Sequence, residues 1–148
     1  MMPEEIKYTE EELGLMAMFR NITGVQPRDC IIDDQFNRVI FVIDKGFMGL
    51  AIGRKGQTIA HVEKMVGRPV ELVEFSDDPA EFIRKTLGER HVMDVKITSR
   101  FDGRKVGVVT IPVKSKGVVL GKGGKNAERT RLLARRYFGI DQIHIMTQ

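Results

Sequence analysis

Arg54, Lys55 and Lys122 sit where charged side chains can act on an anion, inside a glycine-bounded turn that occurs twice. The first copy is GLAIGRKG, Gly49 to Gly56, and the second is GVVLGKGG, Gly117 to Gly124. Each reads Gly, three apolar residues, Gly, a basic residue, a variable residue, Gly. A bare GxxG carries little information, because about one or two arise by chance at this glycine content. A third match, Gly46 to Gly49, has no second copy and reads as such a chance event. The longer phrase, twice in equivalent settings, marks a duplicated module. Glycine lets backbone approach a ligand with no Cβ in the way. Free N–H groups at the start of the following helix are expected to face outward, where the helix dipole favours an anion. With mobile cations added, the turn suits a sugar-phosphate backbone, with bases lying along a groove beside the helix.

The charge distribution points the same way. Net charge is only +4, and residues 1–20 and 71–81 are acidic. Residues 114–136 instead hold Lys114, Lys116, Lys122, Lys125, Arg129, Arg131, Arg135 and Arg136 against Glu128 alone, around the second glycine turn. A charge run is often just a solvated helix face. One that surrounds a repeated anion-type loop is an electrostatic footprint.

The elements that must position these turns form a repeated series. Thr9 and Glu12 make a capping box for a helix whose apolar stripe is Leu15, Met18, Phe19 and Ile22, stopped by Gly24. Cys30 to Ile32 and Val39 to Ile43 read as an antiparallel pair. After the first glycine phrase, Ile59, Val62 and Val66 form a helical stripe, and Pro69 to Phe75 reads as a strand with Val70, Leu72 and Phe75 inward. Asp78 as N-cap and Pro79 at the first helical position open a second series. Val92 to Arg100 and Lys105 to Val113 are strands joined through Asp102-Gly103. The second glycine phrase, a helix to Phe138 and a strand from Gln142 to Met146 follow. Each half is therefore helix, strand, strand, turn, GxxG, helix, strand, an α+β arrangement divided at the acidic segment 75–79. That junction is short, so the halves are expected to pack together.

Both halves resemble KH domains, whose core phrase is two aliphatics, GxxG, two residues and an aliphatic. Ala51-Ile52-Gly53-Arg54-Lys55-Gly56-Gln57-Thr58-Ile59 fits it. Val119-Leu120-Gly121-Lys122-Gly123-Gly124-Lys125-Asn126-Ala127 fits with Ala127 in place of the usual isoleucine. The element order is similar to the type II KH arrangement, with a first domain over residues 1–76 and a second over 77–148. Two such units joined by a short acidic segment resemble the archaeal NusA-type transcription factors. The resemblance implies a non-enzymatic protein of transcription elongation or termination that binds single-stranded RNA, each GxxG clamping about four nucleotides. The two units together would hold about eight. Gly53, Arg54, Lys55 and Gly56, with Gly121, Lys122, Gly123 and Gly124, are the implied phosphate contacts. Gln57, Lys125 and Arg129 are further candidates on the following helices. RNA polymerase is the implied protein partner, and no cofactor is implied. The protein is expected to be a cytosolic monomer.

Other classes fit less well. The segment KGVVLGKGGKN lacks the Gly-x-x-x-x-Gly-Lys-Ser/Thr spacing of a P-loop, and Asn126 stands where a magnesium-binding hydroxyl belongs. Asn126 also replaces the last glycine of a dinucleotide fingerprint. His61, His91 and His144 are scattered without zinc-type spacing, and Ser76, Ser99 and Ser115 lack a nucleophile-elbow context. Cys30 is alone, which excludes an intrachain disulfide framework and fits a reducing compartment. No apolar run approaches the ~20 residues of a membrane helix. The acidic MMPEEIKYTEEE start is unlike a secretory signal. The chain has no Trp and few aromatics expected at the surface, so backbone clamping is favoured over a stacking platform. A KH protein of ribosome assembly, or a ribosomal component, is the alternative of like chemistry.

Overall fold

The computed structural model describes residues 6–148, which divide into two compact units, 6–75 and 76–148. In the first, α1 (Glu10–Thr23) starts at the capping box. The Glu12 amide donates to Thr9 Oγ1 at 3.1 Å and the Thr9 amide to Glu12 Oε1 at 2.8 Å. Gly24, at φ +75°, ends the helix. β1 (Asp29–Asp33) and β2 (Arg38–Ile43) pair antiparallel, with Cys30 opposite Phe41. α2 (Met48–Ile52), a 3-10 turn over Arg54–Gly56 and α3 (Gln57–Val66) lead to β3 (Val70–Glu74). β3 lies parallel to β2, so the sheet order is β1-β2-β3. Phe19 of α1 stacks on Phe41 with ring centroids 4.4 Å apart. Around that pair Cys30, Val39, Ile43, Ala51 and Val62 complete a core.

The described chain after Phe75 repeats this order. α4 (Pro79–Leu87), β4 (Asp94–Ser99), β5 (Lys105–Ile111), α5 (Lys116–Leu120), a 3-10 turn over Lys122–Gly124, α6 (Lys125–Phe138) and β6 (Gln142–Thr147) follow in turn. β4 is antiparallel to β5 and β6 parallel to it. Ile83, Leu87, Val109, Ile111, Val119, Ala134 and Ile143 form the second core. Buried Thr86 and Thr130 link α4 to α6 through a 2.8 Å hydroxyl hydrogen bond. Because the apolar face of each sheet needs a helical cover, these contacts hold the loop-bearing helices against the strands.

Local details depart from the sequence expectations. Asp78 is the N-cap of α4, but its side chain makes no capping bond. Ser76 takes the role: its Oγ accepts from the Asp78 amide at 3.2 Å and donates to Glu81 Oε2 at 2.8 Å. β5 stops at Ile111 rather than Val113 because Pro112 has no N–H for the ladder. In β3, Val70 and Leu72 pack at the edge of the core, while Val73 on the other face is the most buried residue, beside Val42. Phe75 lies beyond the strand, under the Arg28 guanidinium at 3.9 Å.

Arg38, which the sequence reading left without a role, opens β2 with its side chain 2% exposed. Its Nε donates to Asp33 Oδ2 at 2.7 Å and its Nη1 to Glu71 Oε1 at 3.1 Å. The guanidinium also lies 4.9 Å from the Phe36 ring. Two carboxylates and an aromatic face thus compensate its burial.

Candidate nucleic-acid interface

Both glycine phrases fold to the same geometry. Gly53 ends α2 at φ +78°, ψ 174°, with its amide donating to Gly49 O at 2.9 Å. Gly121 ends α5 at φ +74°, ψ 171°, with its amide on Gly117 O at 3.0 Å. A Cβ on Gly53 would lie 2.9 Å from the Thr58 backbone nitrogen, and one on Gly121 would lie 2.8 Å from Asn126 Cγ. The first glycine is thus required both by its φ and by the close approach of the next helix. Gly53→Ala should therefore cost about 3 kcal/mol or more. Gly56→Ala also meets a positive φ, of +73°, but open space, so it should cost only about 1 kcal/mol. Urea unfolding that finds the two equal would refute this account of the turn.

The amides exposed to a ligand are not those expected. The Gly56 amide donates to Gly53 O at 3.1 Å, and the Gln57 amide donates to Arg54 O. The 3-10 turn therefore consumes the donors at the start of α3 on which the sequence argument relied. In the second loop Gly124 and Lys125 are consumed in the same way, on Gly121 O and Lys122 O. Among the described residues no acceptor is found for the Arg54 and Lys55 amides or for those of Lys122 and Gly123. The exposed donors are thus the two central residues of each loop, one step earlier than the helix.

The third loop position is left-handed in both copies: Lys55 at φ +53° and Gly123 at φ +66°. Glycine adopts this freely, whereas a lysine there costs about 1 kcal/mol. Arg54, Lys55 and Lys122 are exposed, and no carboxylate among the described residues pairs with them. Gln57 and Lys125 are exposed at the first position of α3 and α6. Arg129 departs from the expectation that it serves the loop. Its Nη2 donates to Thr86 O at 2.8 Å, so its guanidinium ties α6 to α4. Asn126, which spoils the nucleotide-binding motifs, is structural too, its Nδ2 donating to Val118 O at 3.1 Å.

Neighbouring residues that the sequence argument did not assign complete the surface. Leu50 of α2 and Val118 of α5, at matching positions, are 57% and 59% exposed. Lys114 and Lys116 are exposed just before the second loop. The charge run contained both lysines, but their proximity to the loop depends on the short α5. Surface aromatics were expected to be few, yet Phe47 is half exposed at the N-cap of α2 and Phe101 is fully exposed at the tip of the β4–β5 hairpin. Gly46, of the third GxxG match, lies in the turn before α2 and Gly49 within the helix, so that match forms no such loop. Among the described residues no group of His, Cys, Asp and Glu could hold a metal ion, and no helix is long and apolar enough to cross a membrane.

A mixed α+β fold carrying a basic GxxG corner between two helices defines the class, and a family model described as KH domain matches residues 16–98. The "Probable transcription termination protein NusA" of Methanocaldococcus jannaschii is 31% identical over 97% of this chain and 77% of its own length. The protein of the same name from Halobacterium salinarum is 33% identical over 95% of this chain and 98% of its own. The crystal structure of APE1850 superposes with a TM-score of 0.83 at 35% identity, covering 93% of this chain and 99% of that one. The chain belongs to the NusA-type family of KH-domain proteins.

Proposed function

We propose that the chain is a single-stranded RNA-binding protein of transcription termination and elongation, built from two type II KH domains over residues 1–76 and 77–148. It is not an enzyme, and RNA polymerase is its protein partner. The observation that carries this reading is the duplicated loop. Twice, a positive-φ glycine turns the chain, a 3-10 turn closes it, and two central amides are left for an anion beside unpaired cations. A phosphate seated there accepts from the amides of Arg54 and Lys55, or of Lys122 and Gly123, and is neutralised by the side chains above them. The left-handed Lys55 supports the same role, since glycine would fit that position without strain and the lysine adds a cation at the contact. The names of the relatives supply the transcriptional setting.

The chemistry sets the salt dependence. If the loops and their flanking lysines neutralise about four to six phosphates, log K for single-stranded RNA falls against log salt with a slope of about −3 to −4. A titration at several salt concentrations checks this, and a slope near zero would overturn the clamp. Duplex DNA should bind more weakly, because the groove beside each loop takes unstacked bases; equal affinity would count against the groove. Co-purification with RNA polymerase supports the transcriptional role, and co-purification with ribosomal subunits instead would point to ribosome assembly.

A further inference from the structure

We propose that the two loops divide the work of binding unequally: the second, with its flanking lysines, supplies the larger share of the salt-dependent hold on phosphates, and the first adds to its own phosphate contact a salt-independent stacking contact through Phe47. This rests on the single-stranded RNA reading above and goes beyond it by assigning different physics to two copies of one element.

The contrast comes from matching positions. Residues 112–125, which approach and form the second loop, carry Lys114, Lys116, Lys122 and Lys125 and no carboxylate. Residues 44–57, the same stretch at the first loop, carry Lys45, Arg54 and Lys55 and also Asp44, which pairs with Arg28 at 2.7 Å. The helices that follow sharpen the difference. Against Glu128, α6 has five basic residues, one of which, Arg129, is held on Thr86 O, whereas α3 has Glu63 and Lys64 alone. Arg131 of α6 pairs with Glu128 at 2.7 Å and Arg135 donates to Asp141 O at 3.0 Å, so exposed Lys114, Lys116 and Lys122 are the cations best placed for phosphates.

The apolar side of the comparison runs the other way. Phe47 caps α2 with 49% of its surface exposed. The matching residue at the second loop is Ser115, buried, with its hydroxyl 3.3 Å from His91 Nδ1. Phe47 precedes Gly53 by six residues of short helix, about 9 Å along the axis. A base whose phosphate sits on the first loop can therefore reach the ring, with exposed Leu50 beside it. An exposed phenyl ring next to an anion-binding turn has a use that a buried serine cannot have. It stacks on a base, whatever its identity, because every base offers a π-face.

The test measures affinity for an unstructured eight-nucleotide RNA against salt for two variants. Phe47→Ala should weaken binding by about 5- to 150-fold, with the salt slope unchanged. Phe47→Tyr should bind as the parent does. The penalty should disappear on an abasic ribose-phosphate strand, which offers no base to stack. The triple variant Lys114→Ala, Lys116→Ala, Lys122→Ala should reduce the slope by about 2, at about 0.7 per lysine, and converge with the parent at high salt. An unchanged affinity for Phe47→Ala, or a penalty that persists on the abasic strand, overturns the stacking assignment. An unchanged slope in the triple variant overturns the electrostatic one. Reversing charge in both loops tests the underlying clamp separately: if that leaves affinity intact, the RNA reading itself fails rather than the division of labour.

Discussion

A protein carrying Arg54→Asp, Lys55→Asp, Lys122→Asp and Gly123→Asp should lose single-stranded RNA affinity by about 100-fold or more while still folding. Charge-assisted contacts contribute about 1.5–3 kcal/mol each, and the variant replaces three cations with anions facing the same phosphates. The fold should tolerate it because Arg54, Lys55 and Lys122 are exposed and make no ion pair among the described residues. Only Gly123→Asp strains the backbone, at φ +66°, and aspartate is among the residues that enter this region most readily. A cost of about 1 kcal/mol there corresponds to about 4–8 °C in thermal midpoint for a unit the size of residues 76–148. Fluorescence anisotropy for binding and circular dichroism for melting separate the two effects. Retained affinity with a normal melt would remove the loops from the binding surface.

The largest stability effect is expected at a residue far from that chemistry. Arg38→Met should destabilise the protein by about 3–5 kcal/mol, the usual cost of removing one partner from a buried ion pair. The side chains of Asp33 and Glu71 are 10% and 18% exposed, so both carboxylates would keep their burial and lose the guanidinium that compensates it. Adding Asp33→Asn and Glu71→Gln should recover much of the loss, because neutral amides are cheaper to bury than charges. Denaturant unfolding checks both steps. A single-variant loss under about 1 kcal/mol would mean that water reaches the cluster and screens it.

These two sites differ in how far the sequence reveals them. The loops were legible because their determinants are local. A glycine whose Cβ would lie within 3 Å of the next helix, a capping box four residues long and an Asp-Gly turn between alternating strands are each set by groups a few residues apart. Duplication made the reading stronger, since the same spacing appears before the same elements in both units. Arg38 gave a weaker signal. Asp33, five residues earlier across the hairpin, lies within local reach, but Glu71 arrives only when β3 pairs with β2, 33 residues on.

What the sequence by itself determined, then, was the order of elements, the strand pairing within each hairpin and the position of two basic corners. Periodicity, capping and turn geometry act over one or two turns of chain and leave their mark in adjacent letters. The folded structure decided which donors those corners present. The closing 3-10 turn takes the helix-start amides and leaves the central pair, and α4 takes the Arg129 guanidinium for itself. It also decided that Ser76 rather than the Asp78 side chain caps α4, and that Phe47 stays at the surface while Ser115 is buried. Hydrogen bonds and burial are competitions among all groups within reach, and which groups come within reach is settled only when the chain has folded.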